Sequence, residues 1–276
     1  MLLPAGPASA QLPDYVIIQG SDTSYSQDKY PPVPSELCGP GDTPPIMAAR
    51  RVGAGAVVVA GLGWTSNGGV TYSPQRWVSG ELDVLLDKAF QWMTGKAPSA
   101  TRVLWYGDYG VSREYYEYAY NDASNCSWLI DALEDLGYVV DDTDDATFTP
   151  ITSSLLDPYD ILVIPGLQLG YGTPDGGNPN LLPDDVVATI TNFVKVPPGK
   201  GLFLMESGDY YGYCFHRVKN KILEALEFGV FYQHDTVGDP ETANHDSLRY
   251  VEVDVTTNQF GLDYREATGK TTIRLM

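Results

Sequence analysis

Residues 202–212 read "LFLMESGDYYG", an apolar run that ends in a polar turn. The stretch "GLFLM" (201–205) has the length and composition of a strand that is buried on both faces of a parallel sheet. Open sheets of this kind hold their sites just beyond the carboxyl ends of the strands. The turn from Glu206 to Asp209 is therefore the first place in this chain to look for chemistry.

Short apolar runs alternate with amphipathic helices from about residue 101 onwards. This alternation is typical of a parallel sheet with helices on both faces. The predicted helices begin near Ser124, at Pro183 and near Arg217. The predicted strands are "RVLWY" (102–106), "YVVDD" (138–142), "YDILVIPG" (159–166) and "GLFLM" (201–205).

The first 96 residues have a different pattern. They are rich in Pro and Gly and contain two apolar runs, "YVIIQ" (15–19) and "GAVVVAG" (55–61). One helix is predicted near residues 80–93, where apolar residues recur at helical spacing. Two strands and one helix cannot close a core alone, so this segment must pack against something else.

One order of motifs suggests a superfamily. It runs "VLWYGDY", a helix, "YDILVIPG", a helix, "GLFLMESGD" and "NKILEALEFGVFYQHDTV". In this order residues 101–276 resemble the class I glutamine amidotransferase-like superfamily, especially its non-catalytic branch of intraflagellar-transport-type and prokaryotic surface-protein domains. The resemblance implies an α/β fold, namely a three-layer αβα sandwich with a mostly parallel, flavodoxin-like central sheet.

The resemblance also implies an unusual domain organisation. Domains of this superfamily end in a strand and a helix similar to "GAVVVAG" and "LDVLLDKAFQWM", which here precede the core. Residues 1–96 thus resemble the terminal strand and helix of a domain, and residues 97–276 resemble an amidotransferase-like core. The terminal segment either folds back within one chain or completes a neighbouring subunit. A fragment of a domain array is the third alternative.

The turn after "GLFLM" lacks the nucleophile of the catalytic relatives, which hold a cysteine there. Met205 and Asp209 also occupy the two positions at which a G-x-S-x-G elbow needs glycine. We therefore expect no catalytic residue. The alternative is a hydrolase or amidase with Ser207 as nucleophile, His234 as base and Asp235 as the acid beside it.

Tyrosines and carboxylates cluster around the predicted strand ends, where they suit stacking on sugars or contacts between subunits. The expected ligand-binding residues are Tyr109, Tyr115, Tyr116, Glu206, Asp209, Tyr210 and Tyr211. A carbohydrate-binding module is therefore a second functional alternative. Calcium is the one cofactor considered, because carboxylates supply hard oxygen ligands; solvated acidic loops are the alternative explanation. The candidate calcium ligands are Asp141, Asp142, Asp175 and Asp209.

Charge and composition restrict the partners. The chain has 36 acidic and 17 basic residues, a formal charge of −19, which opposes binding to nucleic acid or to anionic membranes. No apolar run of about 18 residues is present, so no membrane span is predicted. The three cysteines allow one disulfide, but their spacing does not determine its pairing. The leading hypothesis is a non-enzymatic extracellular or cell-surface structural protein that binds copies of itself, a cell-surface partner or a glycan.

Overall fold

The structure is a computed structural model of the chain. It describes residues 2–4, 15–28, 33–34, 43–61, 81–107, 127–143, 149–165, 182–206, 216–233, 236–239 and 252–274. The strands within these ranges are β1 Leu2–Pro4, β2 Val16–Gln19, β3 Tyr25–Asp28, β4 Val33–Pro34, β5 Pro45–Val52, β6 Gly55–Ala60, β7 Arg102–Trp105, β8 Val139–Asp142, β9 Ile161–Ile164, β10 Gly201–Met205, β11 Val230–Tyr232, β12 Thr236–Gly238, β13 Glu252–Val255 and β14 Thr272–Arg274. The α-helices are α1 Leu82–Thr94, α2 Ser127–Asp135, α3 Ser153–Leu156, α4 Asp184–Lys195, α5 His216–Ala225 and α6 Phe260–Thr268.

Nine of these strands form one large sheet in the order β14-β13-β2-β5-β6-β10-β9-β7-β8. The five strands from β6 to β8 are parallel to one another. The strands from β14 to β6 are joined in antiparallel pairs. The prediction of an α/β fold with a large central sheet is confirmed. The sheet is mixed, however, because an antiparallel half extends its parallel half; "YVIIQ", "RYVEVDV" and "TTIRL" have the pattern of strands, but their antiparallel pairing in this sheet was not predicted.

Strand β6 lies between the two halves of the sheet and pairs in parallel with β10, with Val57 opposite Leu202. The sequence "GAVVVA" therefore lies beside "GLFLM" within one chain. Gly55 allows β6 to begin here, because a Cβ atom at this position would lie 2.3 Å from the carbonyl oxygen of Lys200. The segment before residue 96 thus shares its sheet with the segment after residue 101.

The alternation of side chains along the central strands produces two hydrophobic clusters. Val58 and Phe203 belong to one cluster, which also contains buried residues of α1, α2 and α6. Val57 and Leu202, their immediate neighbours in sequence, belong to the other, which contains buried residues of α3, α4 and α5. Because successive side chains of a strand point to opposite faces, the two clusters lie on opposite faces of the sheet.

Two smaller sheets accompany the large one. Strands β12, β3 and β4 form a three-stranded antiparallel sheet, and β1 pairs with β11. None of the helices in the described part of the chain combines the length and apolar character needed to cross a membrane.

Candidate functional site

The parallel strands end together at one edge of the sheet. Their last residues are Ala60 in β6, Trp105 in β7, Ile164 in β9 and Met205 in β10. We call this end of the sheet the carboxyl edge. It is the place where open α/β sheets hold their ligands. Glu206 is the first residue beyond β10, so the turn that was singled out in the sequence begins at this edge.

A buried ion pair occupies the end of β10. The Glu206 carboxylate lies 2.8 Å from the Nζ atom of Lys219, and each side chain is only 1% exposed. Lys219 belongs to α5, the helix that follows β10 in the chain. Burying two opposite charges costs solvation, which is recovered only where the geometry is good and the remaining donors are satisfied.

Lys219 makes two further contacts that offset part of this cost. Its Nζ atom also donates to the carbonyl oxygen of Pro165, at 2.7 Å, and to that of Met205. The ammonium thus makes two hydrogen bonds to backbone oxygens at the ends of two neighbouring strands and an ion pair with Glu206, whose Oε2 atom is buried and accepts no hydrogen bond from the described residues. The side chain therefore ties the ends of β9 and β10 to α5.

Tyr232 of β11 completes this group. Its hydroxyl donates to the carbonyl oxygen of Leu204 at 2.7 Å and accepts a hydrogen bond from the backbone N–H of Ala60 at 3.2 Å. Burial raises the pKa of Tyr232 well above its usual value, and the negative charge of Glu206 raises it further. The phenol therefore remains protonated and acts as a donor. We call Glu206, Lys219 and Tyr232 the strand-end cluster.

A second buried carboxylate lies beyond the end of β2. This strand runs in the direction of β6, because both are antiparallel to β5. Asp239 is fully buried and accepts hydrogen bonds from the hydroxyls of Ser21 at 2.6 Å, Thr23 at 2.8 Å and Ser24 at 3.4 Å. These bonds fasten the three-stranded sheet to the end of β2, because Asp239 directly follows β12 and Ser24 precedes β3.

The strand-end cluster is suited to holding structure together. A nucleophile or a general base must reach the atom on which it acts, either directly or through one water molecule. Glu206 and Lys219 are both 1% exposed and are engaged with each other. The geometry therefore supports a clamp that fixes the strand ends, and it gives substrate no access to either charge.

Glu206 is the one predicted ligand-binding residue that lies within the described part of the chain. Its side chain faces Lys219 inside the protein. The remaining predicted ligand-binding and catalytic residues lie outside the described residues, so these assignments stay predictions: Tyr109, Tyr115, Tyr116, Ser207, Asp209, Tyr210, Tyr211, His234 and Asp235. The three cysteines lie outside them as well.

Two of the predicted calcium ligands are placed at the outermost parallel strand, β8. Asp141 accepts a hydrogen bond from Nη2 of Arg102 at 2.8 Å, and Asp142 is exposed. Asp175 and Asp209 lie outside the described residues. Within the ranges that the structure describes, no three or more His, Cys, Asp or Glu side chains gather in a way that could hold a metal ion. A calcium site stays a prediction.

Sequence reasoning missed Lys219, Tyr232 and the Asp239 cluster. A signal for Lys219 was present, because it stands three residues before Ile222, on the side of α5 that becomes buried. A lysine on an apolar stripe requires a partner in the core. The partners of Asp239 had no such signal, because Ser21 is 218 residues away in the sequence.

Comparison of the chain with protein-family models, with curated proteins and with solved structures finds no match in any of the three. Its function must be argued from its own geometry and composition.

Proposed function

We propose that this chain is a non-enzymatic structural protein of the cell surface or the extracellular space, which associates with copies of itself. We further propose that it uses a degenerate amidotransferase-like domain, a three-layer αβα sandwich, for its shape. The observation that carries the proposal is the buried pair of Glu206 and Lys219 at the end of β10. Glu206 directly precedes Ser207, the position at which a related enzyme would hold its nucleophile.

The order of the strands supports the proposed architecture. The parallel half runs β8-β7-β9-β10-β6. If β6 is counted as the strand that follows β10, this order reads 2-1-3-4-5, which is the flavodoxin-like order. Each of the two hydrophobic clusters contains residues of helices, so helices pack on both faces of the sheet, as the two outer layers of a sandwich require. The early position of β6 in the chain agrees with the resemblance of residues 1–96 to a displaced terminal segment.

The strand-end cluster supports a role without catalysis. Catalysis at this edge needs a group that is accessible and can change its protonation or its bonding during a reaction. Lys219 pairs with Glu206 and donates to two backbone oxygens, and Tyr232 bridges β6 and β10. These contacts hold the strand ends in one arrangement, which is what a structural subunit requires.

Composition supports the location and the kind of partner. With a formal charge of −19, 19 tyrosines and 20 prolines, the chain differs from a typical cytosolic enzyme. A charge of this size repels nucleic acid and also repels other copies of the chain. Added salt screens this repulsion, and the screening length falls to about 8 Å at about 0.15 M salt. Association between copies should therefore become stronger as the salt concentration rises to that value.

Sedimentation velocity and negative-stain microscopy of the whole chain test the proposal. We expect species larger than the monomer, whose amount grows with protein concentration and from low salt to about 0.15 M salt. A single monomeric boundary at every concentration and salt level would overturn the proposed self-association.

Catalysis is tested separately. Wild-type protein and the Ser207→Ala variant should show equal background rates on a panel of esters and amides. Ser153→Ala, at an exposed position of α3, is the matched control. Hydrolysis that is lost only in Ser207→Ala would show that the chain is an enzyme.

A further inference from the structure

The two-stranded sheet of β1 and β11 joins segments that lie far apart in the sequence. The strands are antiparallel, with Leu3 opposite Phe231, and within the described part of the chain they pair only with each other. Strand β1 has three residues, and Pro4 has no N–H group to donate. A two-stranded ribbon of this size is marginally stable by itself. Strand β1 is therefore easier to detach than a strand of the large sheet.

Strand β11 is held in place by contacts that do not involve β1. Oδ1 of Asn220 in α5 accepts from the N–H of Tyr232 at 2.8 Å, and its Nδ2 donates to the carbonyl oxygen of Tyr232 at 2.9 Å. The Tyr232 hydroxyl binds the ends of β6 and β10. Backbone groups of successive residues point to opposite sides of a strand, so those of Phe231 face β1. Strand β11 is thus a fixed acceptor for a pairing strand.

The segment that contains β1 is uncharged. Residues 1–13 include no charged side chain, whereas the whole chain has a formal charge of −19. Residues 5–14 connect β1 to β2, and a connection of this length spans at most about 35 Å. This limit is several times the screening length of about 8 Å at physiological salt. Strand β1 can therefore reach a second copy while the acidic parts of the two copies stay apart.

The same pairing can form within one chain or between two chains. Exchange of an identical element keeps its contacts, so association costs little beyond the lost freedom of the copies. A short connection holds β1 near its own β11 at an effective concentration on the order of mM. Exchange should therefore increase as the concentration of copies approaches that value.

We propose that β1 of one copy pairs with β11 of another copy, in place of that copy's own β1. The partner is thus a second copy of this chain. This inference rests on the proposed self-association and specifies its contact. Because the contact joins two different surfaces, it can continue from copy to copy or close as a reciprocal pair.

A disulfide between β1 and β11 tests the exchange. Residues opposite each other in an antiparallel pair have Cα atoms about 4.5–5.5 Å apart, which a disulfide can bridge. Leu3→Cys protein and Phe231→Cys protein would be mixed at about 1 mM, where exchange competes with pairing inside one chain. After oxidation, mass spectrometry should find a disulfide between residues 3 and 231, which in this mixture can only join two chains.

The matched control uses two strands of the large sheet. Glu252 in β13 and Arg274 in β14 are opposite each other. A mixture of Glu252→Cys and Arg274→Cys should give no disulfide between these positions, because neither strand is exchanged. Circular dichroism checks that each variant is folded.

A second experiment locks β1 in its own chain. The double variant Leu3→Cys with Phe231→Cys, oxidised far below the effective concentration, should form the disulfide within one chain. After it is concentrated, it should stay monomeric in sedimentation velocity, and reduction should restore assembly. Wild-type protein treated in the same way controls for the native cysteines.

The outcomes separate the two proposals. If wild-type protein assembles but the mixture gives no disulfide between residues 3 and 231, the exchange is overturned and self-association stands. Assembly of the locked double variant at the wild-type level would have the same meaning. A double variant that forms no internal disulfide would show that β1 and β11 do not pair, which also overturns the exchange. A wild-type protein that stays monomeric would overturn the self-association on which the exchange rests.

Discussion

The centre of the carboxyl edge and the lateral edges of the sheet differ sharply in their access to solvent. At the centre, the side chains of Glu206 and Lys219 are 1% exposed and bind each other. At the margins, Leu136, Val139 and Leu262 are 43–46% exposed. An enzyme built on such a sheet would have an accessible site at the strand ends. The charged pair at the centre therefore stabilises the fold from within, whereas the exposed side chains at the lateral edges contribute little to the core.

The largest effect is expected at the centre. Lys219→Met leaves the Glu206 carboxylate buried without its cation, and removing one partner of a buried pair costs about 3–5 kcal/mol. Urea unfolding monitored by fluorescence should show this loss in the free energy of unfolding. Lys221→Met is the matched control from the same helix; its Nζ atom pairs with Asp184, whose side chain is 93% exposed, and donates to the carbonyl oxygen of Leu182, so we expect a clearly smaller loss than for Lys219→Met.

A double variant sharpens the interpretation. Glu206→Leu combined with Lys219→Met removes both charges, and apolar replacement of a buried pair is often tolerated. The double variant should recover at least half of the stability that Lys219→Met loses. The carbonyl oxygens of Pro165 and Met205 remain without that donor, which limits the recovery. A double variant less stable than Lys219→Met would contradict this account.

An intermediate effect is expected between the centre and the β8 edge. The hydroxyl of Tyr138, the residue before β8, donates to Oδ1 of Asp87 in α1 at 2.9 Å. Asp87 is buried, and losing a buried hydrogen bond to a charged acceptor costs about 1–3 kcal/mol. Tyr138→Phe should lower the free energy of unfolding by this amount without changing the denaturant slope. An unchanged unfolding midpoint would contradict this prediction. It would show that the contacts of Gln91 and Lys88 with Asp87 satisfy the buried carboxylate without the tyrosine hydroxyl.

The β14 edge should weaken in alkali. Burial, with the nearby charge of Glu81 as the second cause, raises the pKa of Tyr264 from 10.0 to about 12. The stability contributed by the protonated phenol is complete below pH 10.0 and is lost as the pH rises towards about 12. Between about pH 8 and about pH 11, Tyr264→Phe should therefore lose less stability than the wild type. Equal losses of stability in the wild type and in Tyr264→Phe would contradict the raised pKa of Tyr264.

The smallest effect on stability is expected at the β8 edge itself. Arg102 and Asp141 form an exposed pair, with side chains 46% and 41% accessible, and such pairs contribute about 0–1 kcal/mol. Arg102→Ala should therefore barely change the unfolding midpoint. A loss well above about 1 kcal/mol would contradict the view that this is an ordinary surface pair.

The sequence predicted the parallel half of the sheet better than the antiparallel half. The runs "GLFLM" and "YDILVIPG" are long and apolar because β10 and β9 are buried on both faces. Strand β5 was missed because it carries Arg50 and Arg51. The Arg51 guanidinium lies 4.5 Å from the ring centre of Trp92 and donates to the backbone of Met93. Tertiary contacts of this kind stabilise a charged strand and leave no local pattern.

Helix α6 was missed for a related reason. It is short, contains Gly261 and begins directly at Phe260 after a residue with positive φ, Gln259. Its position depends on packing, since a Cβ atom on Gly261 would lie 2.6 Å from the carbonyl oxygen of Thr256.

At the site, the sequence located Glu206 at the strand end, but only the fold reveals that Lys219 reaches back to it.

Native-state labelling of lysines tests the central claim most directly, namely that a buried ion pair closes the end of β10. The folded wild-type protein would be treated briefly with an amine-reactive ester and then mapped by mass spectrometry. Lys96 and Lys270, whose side chains are both 47% exposed, should be modified, while Lys219 should stay unmodified until the protein is unfolded. Rapid modification of Lys219 in the folded protein would show that this strand end is accessible and would contradict the claim.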